Sequence, residues 1–270
     1  LTYPYKVLEN NSKVIDKIIK NEHNLSNKIA SAEKPIIILG QSILNSNNGA
    51  YIFEELKKYL TSINKISNNW NALNILSTDA SAVGSYDLGI FSSNNGSNKT
   101  LKKIEDGDAK VIFLLGQDNL KIKKNNEFII YIGSHGDNGA DMADLILPGA
   151  AYTEQDGYFT NLEGKLQKAY KASYPPGEAK EDWQIINELS SSIQGNLLFS
   201  NKDELLKNMQ NHLNNENIKN FEVPKYNLKD EKILVEDIDY YYSNTIARAS
   251  KTMSECRYAR ANLKKTGTEG

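Results

Sequence analysis

The stretch Lys110-Val-Ile-Phe-Leu-Leu115, which ends at Gly116, decides the fold class. It is a short, continuous apolar run closed by a glycine, and Phe128-Ile-Ile-Tyr-Ile132 before Gly133 repeats the pattern. Strands of a parallel sheet that is covered on both faces have this composition, because neither of their faces is polar. Both stretches are therefore predicted to be neighbouring strands of such a sheet.

The same pattern occurs on either side of these two strands. Pro35-Ile-Ile-Ile-Leu39 runs into Gly40, and Ala143-Asp-Leu-Ile-Leu147 runs into Pro148. After the strand at 35–39, apolar residues recur at helical spacing over 49–63, which predicts a crossover helix. Strands that alternate with helices predict an α/β fold with a mostly parallel, doubly wound, Rossmann-like sheet.

Weaker patterns predict the remaining elements. They comprise helices at about 11–21, 101–105, 178–193, 202–213 and 240–265, a strand at Leu73–Leu76, and a hairpin over 158–170. Residues 79–98 are rich in Ser, Gly and Asn, which predicts a long surface loop that is partly ordered over 80–88.

These patterns divide the chain into three regions. Residues 1–33 form a helical lead-in, 34–200 the α/β domain, and 201–270 a charged linker with a C-terminal amphipathic helix. Basic residues surround an apolar stripe on that last helix, so it is predicted to dock on a partner; the stripe comprises Ile246, Ala249, Met253 and Cys256.

Composition excludes several classes of function. The 32 basic and 34 acidic residues are interspersed and give a net charge of −2, which provides no field for holding nucleic acid. No apolar run approaches the roughly 18–20 residues of a membrane-spanning helix. Leu1 follows no initiator methionine or signal pattern, so we expect a processed or split start.

The residues that bind metals are too few and too scattered to predict a metal site. Cys256 is the single cysteine, which excludes a disulfide framework and a four-cysteine cluster built by this chain alone. His23, His135 and His212 lie far apart and lack the spacing of a helical metal site.

The glycine-rich stretch Gly133-Ser-His-Gly-Asp-Asn-Gly139 allows two interpretations. Its glycines would let the backbone approach a phosphate or pterin, and His135 would titrate near neutrality. Alternatively it is a turn between a strand and a helix, with Asp137, Asp141 and Asp144 as solvated or capping residues rather than metal ligands. After the first predicted strand the sequence is Gly40-Gln-Ser-Ile-Leu-Asn45, which matches neither the dinucleotide-binding nor the P-loop fingerprint.

Glu154 and Glu163 flank the segment 151–165 and could form an acid/base pair. Nothing in the sequence fixes their separation, and surface carboxylates are the ordinary alternative. No catalytic, cofactor-binding or metal-binding residue is therefore predicted.

Several motifs resemble the late portion of the molybdopterin oxidoreductase superfamily. They are His135-Gly-Asp-Asn-Gly-Ala140, Ala143-Asp-Leu-Ile-Leu-Pro-Gly-Ala-Ala-Tyr-Thr-Glu154, Asn161-Leu-Glu-Gly164 and Gln167. Three further motifs are similar to the large iron–sulfur subunit of mitochondrial complex I. This subunit is also known as the eleventh subunit of NADH dehydrogenase, and it has a counterpart in the bacterial NADH-quinone oxidoreductase. The three motifs are Leu1-Thr-Tyr-x-Tyr5, Pro175-Pro-Gly-x-Ala-x-Glu-Asp-Trp-x-Ile-Ile186 and Ile246-Ala-Arg-Ala-Ser-x-Thr-Met253.

This resemblance covers residues 1 to about 260 and implies a role without side-chain catalysis. In that family the N-terminal part holds the cysteine-bound iron–sulfur clusters, and the C-terminal part is an α/β scaffold generally without a cofactor. The chain is then expected to carry no cofactor and to serve as scaffold in the matrix arm of complex I, at the mitochondrial inner membrane.

The partners implied are other subunits of that arm, including a cysteine-rich N-terminal half of the same subunit. Such a half would be a separate polypeptide if the subunit is split. Two alternatives remain: a pterin- or nucleotide-binding oxidoreductase domain that uses Gly133–Gly139, and an interaction module outside respiration.

Overall fold

The computed structural model describes residues 4–90, 97–120, 122–214, 228, 231–234 and 239–263. They form two compact units. Unit 1 lies within Leu1–Val83, Leu162–Gly164 and Asn217–Asp237, and unit 2 within Gly84–Asn161, Lys165–Glu216 and Ile238–Gly270. The predicted division at residues 33/34 and 200/201 stays a prediction.

Unit 1 is a small α/β unit. Its elements are α1 (Lys13–Ile19), α2 (Asn24–Ser31), β1 (Ile37–Gly40), α3 (Gln41–Leu44), α4 (Gly49–Ser62), β2 (Ile66–Ser67), β3 (Trp70–Asn71) and β4 (Leu73–Leu76). β1 pairs with β4 in parallel, and β2 pairs with β3 antiparallel. The helices predicted at 11–21 and 49–63 are α1 and α4, whereas α2 and the β2–β3 pair were not predicted.

The core of unit 1 lies between α4 and the parallel pair. Ile52, Leu56 and Leu60 of α4 are buried against Leu39 of β1 and Leu73 of β4. These α4 residues are four apart in sequence, so they share one helical face. The helical period of the sequence therefore identified the buried face.

Unit 2 is larger and contains a three-stranded parallel sheet. The elements after unit 1 are α5 (Ala82–Asp87), α6 (Ser97–Glu105), β5 (Val111–Leu115), β6 (Phe128–Gly133), α7 (Asn138–Asp141), β7 (Leu145–Pro148), β8 (Gly157–Thr160), β9 (Leu166–Ala169), α8 (Asp182–Gln194), α9 (Lys202–Asn214), a 3-10 helix (Tyr240–Tyr242), α10 (Thr245–Ala249) and α11 (Lys251–Leu263). The strand order is β5-β6-β7, all parallel, and β8 and β9 form the predicted hairpin. The predicted loop at 79–98 includes α5, and its residues 91–96 lie outside the described residues.

β6 is the central strand of unit 2, and its two faces serve two cores. Ile129 and Tyr131 pack on one side with residues of β5 and α6. Ile130 and Ile132 pack on the other side against Ile185 of α8. The predicted α/β class with parallel strands is confirmed.

The sequence predicted that the parallel strands are covered on both faces. β6 is covered in this way, but β1 and β5 are not. Val111, Phe113 and Leu115 of β5 are 52%, 49% and 48% exposed, and Ile38 of β1 is 60% exposed. The alternate residues Ile112 and Leu114 are buried. A sheet edge strand with helices packed on one side only produces this alternation, although its sequence is uniformly apolar.

The single helix predicted over 240–265 is wrong. The 3-10 helix, α10 and α11 take its place, and Lys264 and Lys265 lie outside the described residues. Asn244 caps α10, because its side-chain oxygen accepts a hydrogen bond from the Ala247 amide at 2.9 Å. Ser250 is extended between α10 and α11, and its hydroxyl accepts from the Met253 amide at 3.4 Å. Asn and Ser side chains compete with helical hydrogen bonds in this way, so they end and restart helices.

No helix within the described part of the chain is both long and apolar enough to cross a membrane.

Candidate ligand site at the carboxyl ends of β5 and β6

The loops that follow β5 and β6 lie side by side, where α/β sheets bind ligands. The first loop carries Asp118, and the second is the glycine-rich stretch Gly133–Gly139. They are tied together by a hydrogen bond of 2.9 Å from the Gly139 amide to the Asp118 carbonyl oxygen. We call the space between these loops the β5–β6 crevice.

Arg248 of α10 occupies the β5–β6 crevice. Its Nε donates to Asp137 Oδ2 at 2.7 Å, and its Nη2 donates to Asp118 Oδ2. Nη1 donates to the carbonyl oxygen of Tyr242 at 3.4 Å. A planar guanidinium suits this arrangement, because its five donors diverge in fixed directions.

The ionised state of Arg248 is strongly favoured in the crevice. Burial opposes its charge, but the hydrogen bonds that the guanidinium donates to Asp137 and Asp118 outweigh burial and raise the pKa of Arg248 above its ordinary value. Asp118 is buried, with 6% of its surface exposed. Because an unpaired buried carboxylate is costly, Asp118 depends on this cation.

Tyr131 fills the space that the glycines leave. Its ring is buried, and its hydroxyl donates to the His135 carbonyl oxygen at 2.9 Å. Burial is the largest cause that raises the Tyr131 pKa, and the charges of Asp118 and Asp137 add to it. A Cβ added at Gly139 would lie 2.5 Å from the Gln117 carbonyl oxygen and 3.1 Å from the Tyr131 ring, and one at Gly133 would collide with the Tyr131 hydroxyl. Both glycines therefore make room for a side chain of this chain.

These features do not fit the phosphate or pterin cradle that was the alternative interpretation of Gly133–Gly139. An anionic ligand needs amide donors or cations, whereas the crevice presents Asp118 and Asp137. The cation that faces them is Arg248, and it already pairs with both carboxylates. The structure favours the turn interpretation.

The aspartates of the 133–144 region have structural contacts. Asp137 also caps α7, since its Oδ1 accepts from the Asn138 amide at 2.8 Å. Asp144 accepts from the Ile129 amide at 2.9 Å and pairs with Lys124 at 2.6 Å. Hydrogen bonds from Lys124 and that amide lower the Asp144 pKa. Asp141 is exposed on α7.

The three histidines are not brought together. His135 Nδ1 lies 2.9 Å from Ser134 Oγ, and His23 Nδ1 caps α2 by accepting from the Leu25 amide at 3.1 Å. His212 Nε2 lies 3.2 Å from the Leu88 carbonyl oxygen. Throughout the described ranges, no three His, Cys, Asp or Glu side chains are grouped to hold a metal ion.

Glu154 is a loop cap in the structure, because its Oε2 accepts from the Ala151 amide at 2.9 Å. Glu163 lies exposed at the turn of the β8–β9 hairpin. Cys256 is half-buried on α11. None of these three residues lies in the β5–β6 crevice.

A second charged cluster, around Glu181, was not singled out from the sequence. Glu181 caps α8 and pairs with Lys202 Nζ at 2.5 Å and Lys171 Nζ at 3.5 Å, while Trp183 Nε1 donates to it at 2.9 Å. Burial opposes its ionisation, but the hydrogen bonds from Lys202 and Trp183 outweigh burial and lower its pKa. The cluster fixes α8 and α9 relative to the end of the hairpin.

Asp118 was also missed, although its position directly after a strand that ends in glycine was a usable signal. Arg248 was one basic residue among several on the predicted last helix. Nothing in the neighbouring sequence distinguishes it as the residue that contacts the loops after β5 and β6.

Comparisons with known proteins agree with the resemblance read from the motifs. The chain is 37% identical over 98% of its length to the G subunit of the NADH-quinone oxidoreductase of Rickettsia bellii, and covers 39% of that protein. It is 36% identical over 95% of its length to the NADH-ubiquinone oxidoreductase 75 kDa subunit of Reclinomonas americana, and covers 38% of it. The chain thus spans about two-fifths of the length of these relatives. The sequence profile of the molybdopterin oxidoreductase family matches residues 1–192. Because this match covers most of its length, the chain belongs to the molybdopterin oxidoreductase family.

Proposed function

We propose that this chain is a scaffold portion of the peripheral arm of respiratory complex I and carries no cofactor. It supports electron transfer from NADH to ubiquinone by shaping and holding the arm, and contributes no catalytic side chain. The β5–β6 crevice carries this proposal, because a family member that binds an anionic cofactor there would need it open, and Arg248 fills it. The relatives named above support the assignment to complex I.

The partner we propose is a cysteine-rich polypeptide that holds the iron–sulfur clusters. Clusters are held by several cysteine thiolates, and this chain has one cysteine. The clusters then lie on the N-terminal part of the same subunit or on a separate chain. A location on the matrix side of the mitochondrial inner membrane is part of the same proposal. The Reclinomonas relative, an NADH-ubiquinone oxidoreductase subunit, supports only the coarser assignment to a mitochondrial-type complex.

Affinity purification of the tagged chain from respiratory membranes tests the proposal. After mild solubilisation, we expect the chain to migrate in native gels with a large assembly that oxidises NADH, and mass spectrometry to find a cysteine-rich subunit there. The chain separated from that assembly should contain no stoichiometric iron, molybdenum or pterin. Migration as a free monomer in active membranes would refute the assignment.

The same cofactor analysis tests the alternative of a pterin- or nucleotide-binding oxidoreductase domain. Stoichiometric pterin or nucleotide that is lost on substitution of Gly136 would favour that alternative. A Cβ at this position meets no atom within 4 Å, so the substitution probes ligand contact without disturbing the fold. We expect neither pterin nor nucleotide.

A further inference from the structure

The two loops of the β5–β6 crevice are also held by contacts that do not involve Arg248. They are joined by the hydrogen bond between Gly139 and Asp118, and Tyr131 holds the His135 carbonyl from below. Asp137 is oriented by the Asn138 amide. The loops that carry both carboxylates are therefore positioned by contacts outside α10.

The crevice discriminates between cations by geometry. Its own acceptors, the carboxylates of Asp118 and Asp137, meet two different nitrogens of one guanidinium. The Tyr242 carbonyl, a third acceptor of Arg248, lies on the C-terminal segment itself. An ammonium group is a compact charge and does not offer each carboxylate a separate nitrogen in one plane. The crevice also disfavours an anionic ligand, because its two carboxylates outnumber the one positive group that faces them.

Among the described residues, Arg248 joins the C-terminal segment, residues 239–263, to unit 2 through its pairs with Asp118 and Asp137. None of its described residues belongs to the buried cores on either face of β6. Its other strong interactions are internal, such as the pair between Arg257 Nε and Asp239 Oδ2 at 2.5 Å and the stacking of Arg257 on Tyr242. α10, α11 and the 3-10 helix pack chiefly on one another. Arg248 is thus an attachment point between this helical segment and unit 2.

We propose that the β5–β6 crevice is a guanidinium-binding site, and that the C-terminal segment closes it by inserting Arg248 as an internal ligand. When Arg248 leaves, the crevice is open to small guanidinium compounds and the segment detaches. A second function of the segment follows, because closing the crevice keeps other ligands away from the carboxyl ends of β5 and β6. This inference does not depend on assembly with other subunits.

Hydrogen–deuterium exchange of the full chain tests the attachment. In Arg248→Ala and Arg248→Lys, amides of the C-terminal segment should exchange about 10- to 100-fold faster than in the wild type, the range expected for lost hydrogen bonds between charged groups. Arg257→Ala is the matched control, since Arg257 pairs and stacks within its own segment; amides near Arg248 should keep wild-type rates in that variant. Unchanged exchange in both Arg248 variants would overturn the proposal.

Binding of methylguanidinium, measured by NMR titration, tests the site itself. We expect binding to Arg248→Ala, none to the wild type, and none to the double variant Arg248→Ala/Asp118→Asn. Methylammonium at equal concentration should bind none of them. If Arg248→Ala fails to fold, Arg248→Lys retains the charge and is titrated instead, with the same expectation. Methylguanidinium that binds all variants equally, or none, would refute a guanidinium site.

Discussion

At the residue scale, Gly139 shows how a glycine-rich loop serves the protein's own packing. A Cβ there would press on the Gln117 backbone and the Tyr131 ring. We expect Gly139→Ala to destabilise the chain by about 1–3 kcal/mol, since the nearer contact is with backbone and the other is with a buried ring. Gly136→Ala is the control and should change stability by less than about 0.5 kcal/mol. Urea unfolding followed by circular dichroism measures both, and equal stabilities would contradict this account of the loop.

Glu181 predicts how stability depends on pH. Its pKa is lowered in the folded chain, so its contribution is complete above its unfolded pKa of about 4.3 and is lost as pH falls through the lower, folded value. Glu181→Gln should therefore cost about 1–3 kcal/mol at pH 7 and flatten the loss of stability below pH ~4.

Glu188→Gln is the matched control for Glu181, because Glu188 lies on the same helix and pairs with Lys180 at 2.7 Å on an exposed surface. Exposed pairs contribute little, so its urea midpoint should follow the wild type from about pH 3 to pH 7 within error. If Glu188→Gln and Glu181→Gln shift the midpoint equally, the buried cluster around Glu181 stabilises the chain no more than an exposed ion pair does.

At the scale of elements, the positions of the longer strands and helices were predictable, whereas the exposed face of an edge strand and the breaks between helices were not. β4 was predicted at its observed bounds, and α4 to within one residue, because continuous apolar runs and helical spacing are local signals. The exposed face of β5 and the break at Ser250 depend on which elements pack nearby. Asp118 and Arg248 meet through tertiary contact across 130 residues, which no local pattern encodes.

The alternation along β5 gives a prediction that separates its two faces. Leu114 is 3% exposed and Phe113 49% exposed, although both lie in the same apolar run. Leu114→Ala should cost about 2–5 kcal/mol, as for other core truncations, and Phe113→Ala less than half as much. Chemical denaturation of the two variants provides the comparison. Similar losses would mean that the outer face of β5 is covered as well, as the sequence alone had indicated.

At the scale of the whole molecule, the described residues hold three buried clusters, and each lies within one unit. The α4 cluster belongs to unit 1, and the two clusters on the faces of β6 belong to unit 2. Residues of one cluster share their neighbours, so a cavity in that cluster weakens the elements around it first. The two units should accordingly respond separately to cavities in their cores.

Leu60→Ala and Ile129→Ala test this separation, since both side chains are fully buried, the first in unit 1 and the second in unit 2. We expect each to lower stability by about 2–5 kcal/mol. Hydrogen exchange should then accelerate in α4, β1 and β4 for Leu60→Ala, and in β5, β6 and β7 for Ile129→Ala, while the other unit keeps its wild-type rates. Acceleration throughout the chain in either variant would show that the two cores unfold as one cooperative structure, because a cavity can spread its effect only through elements that open together.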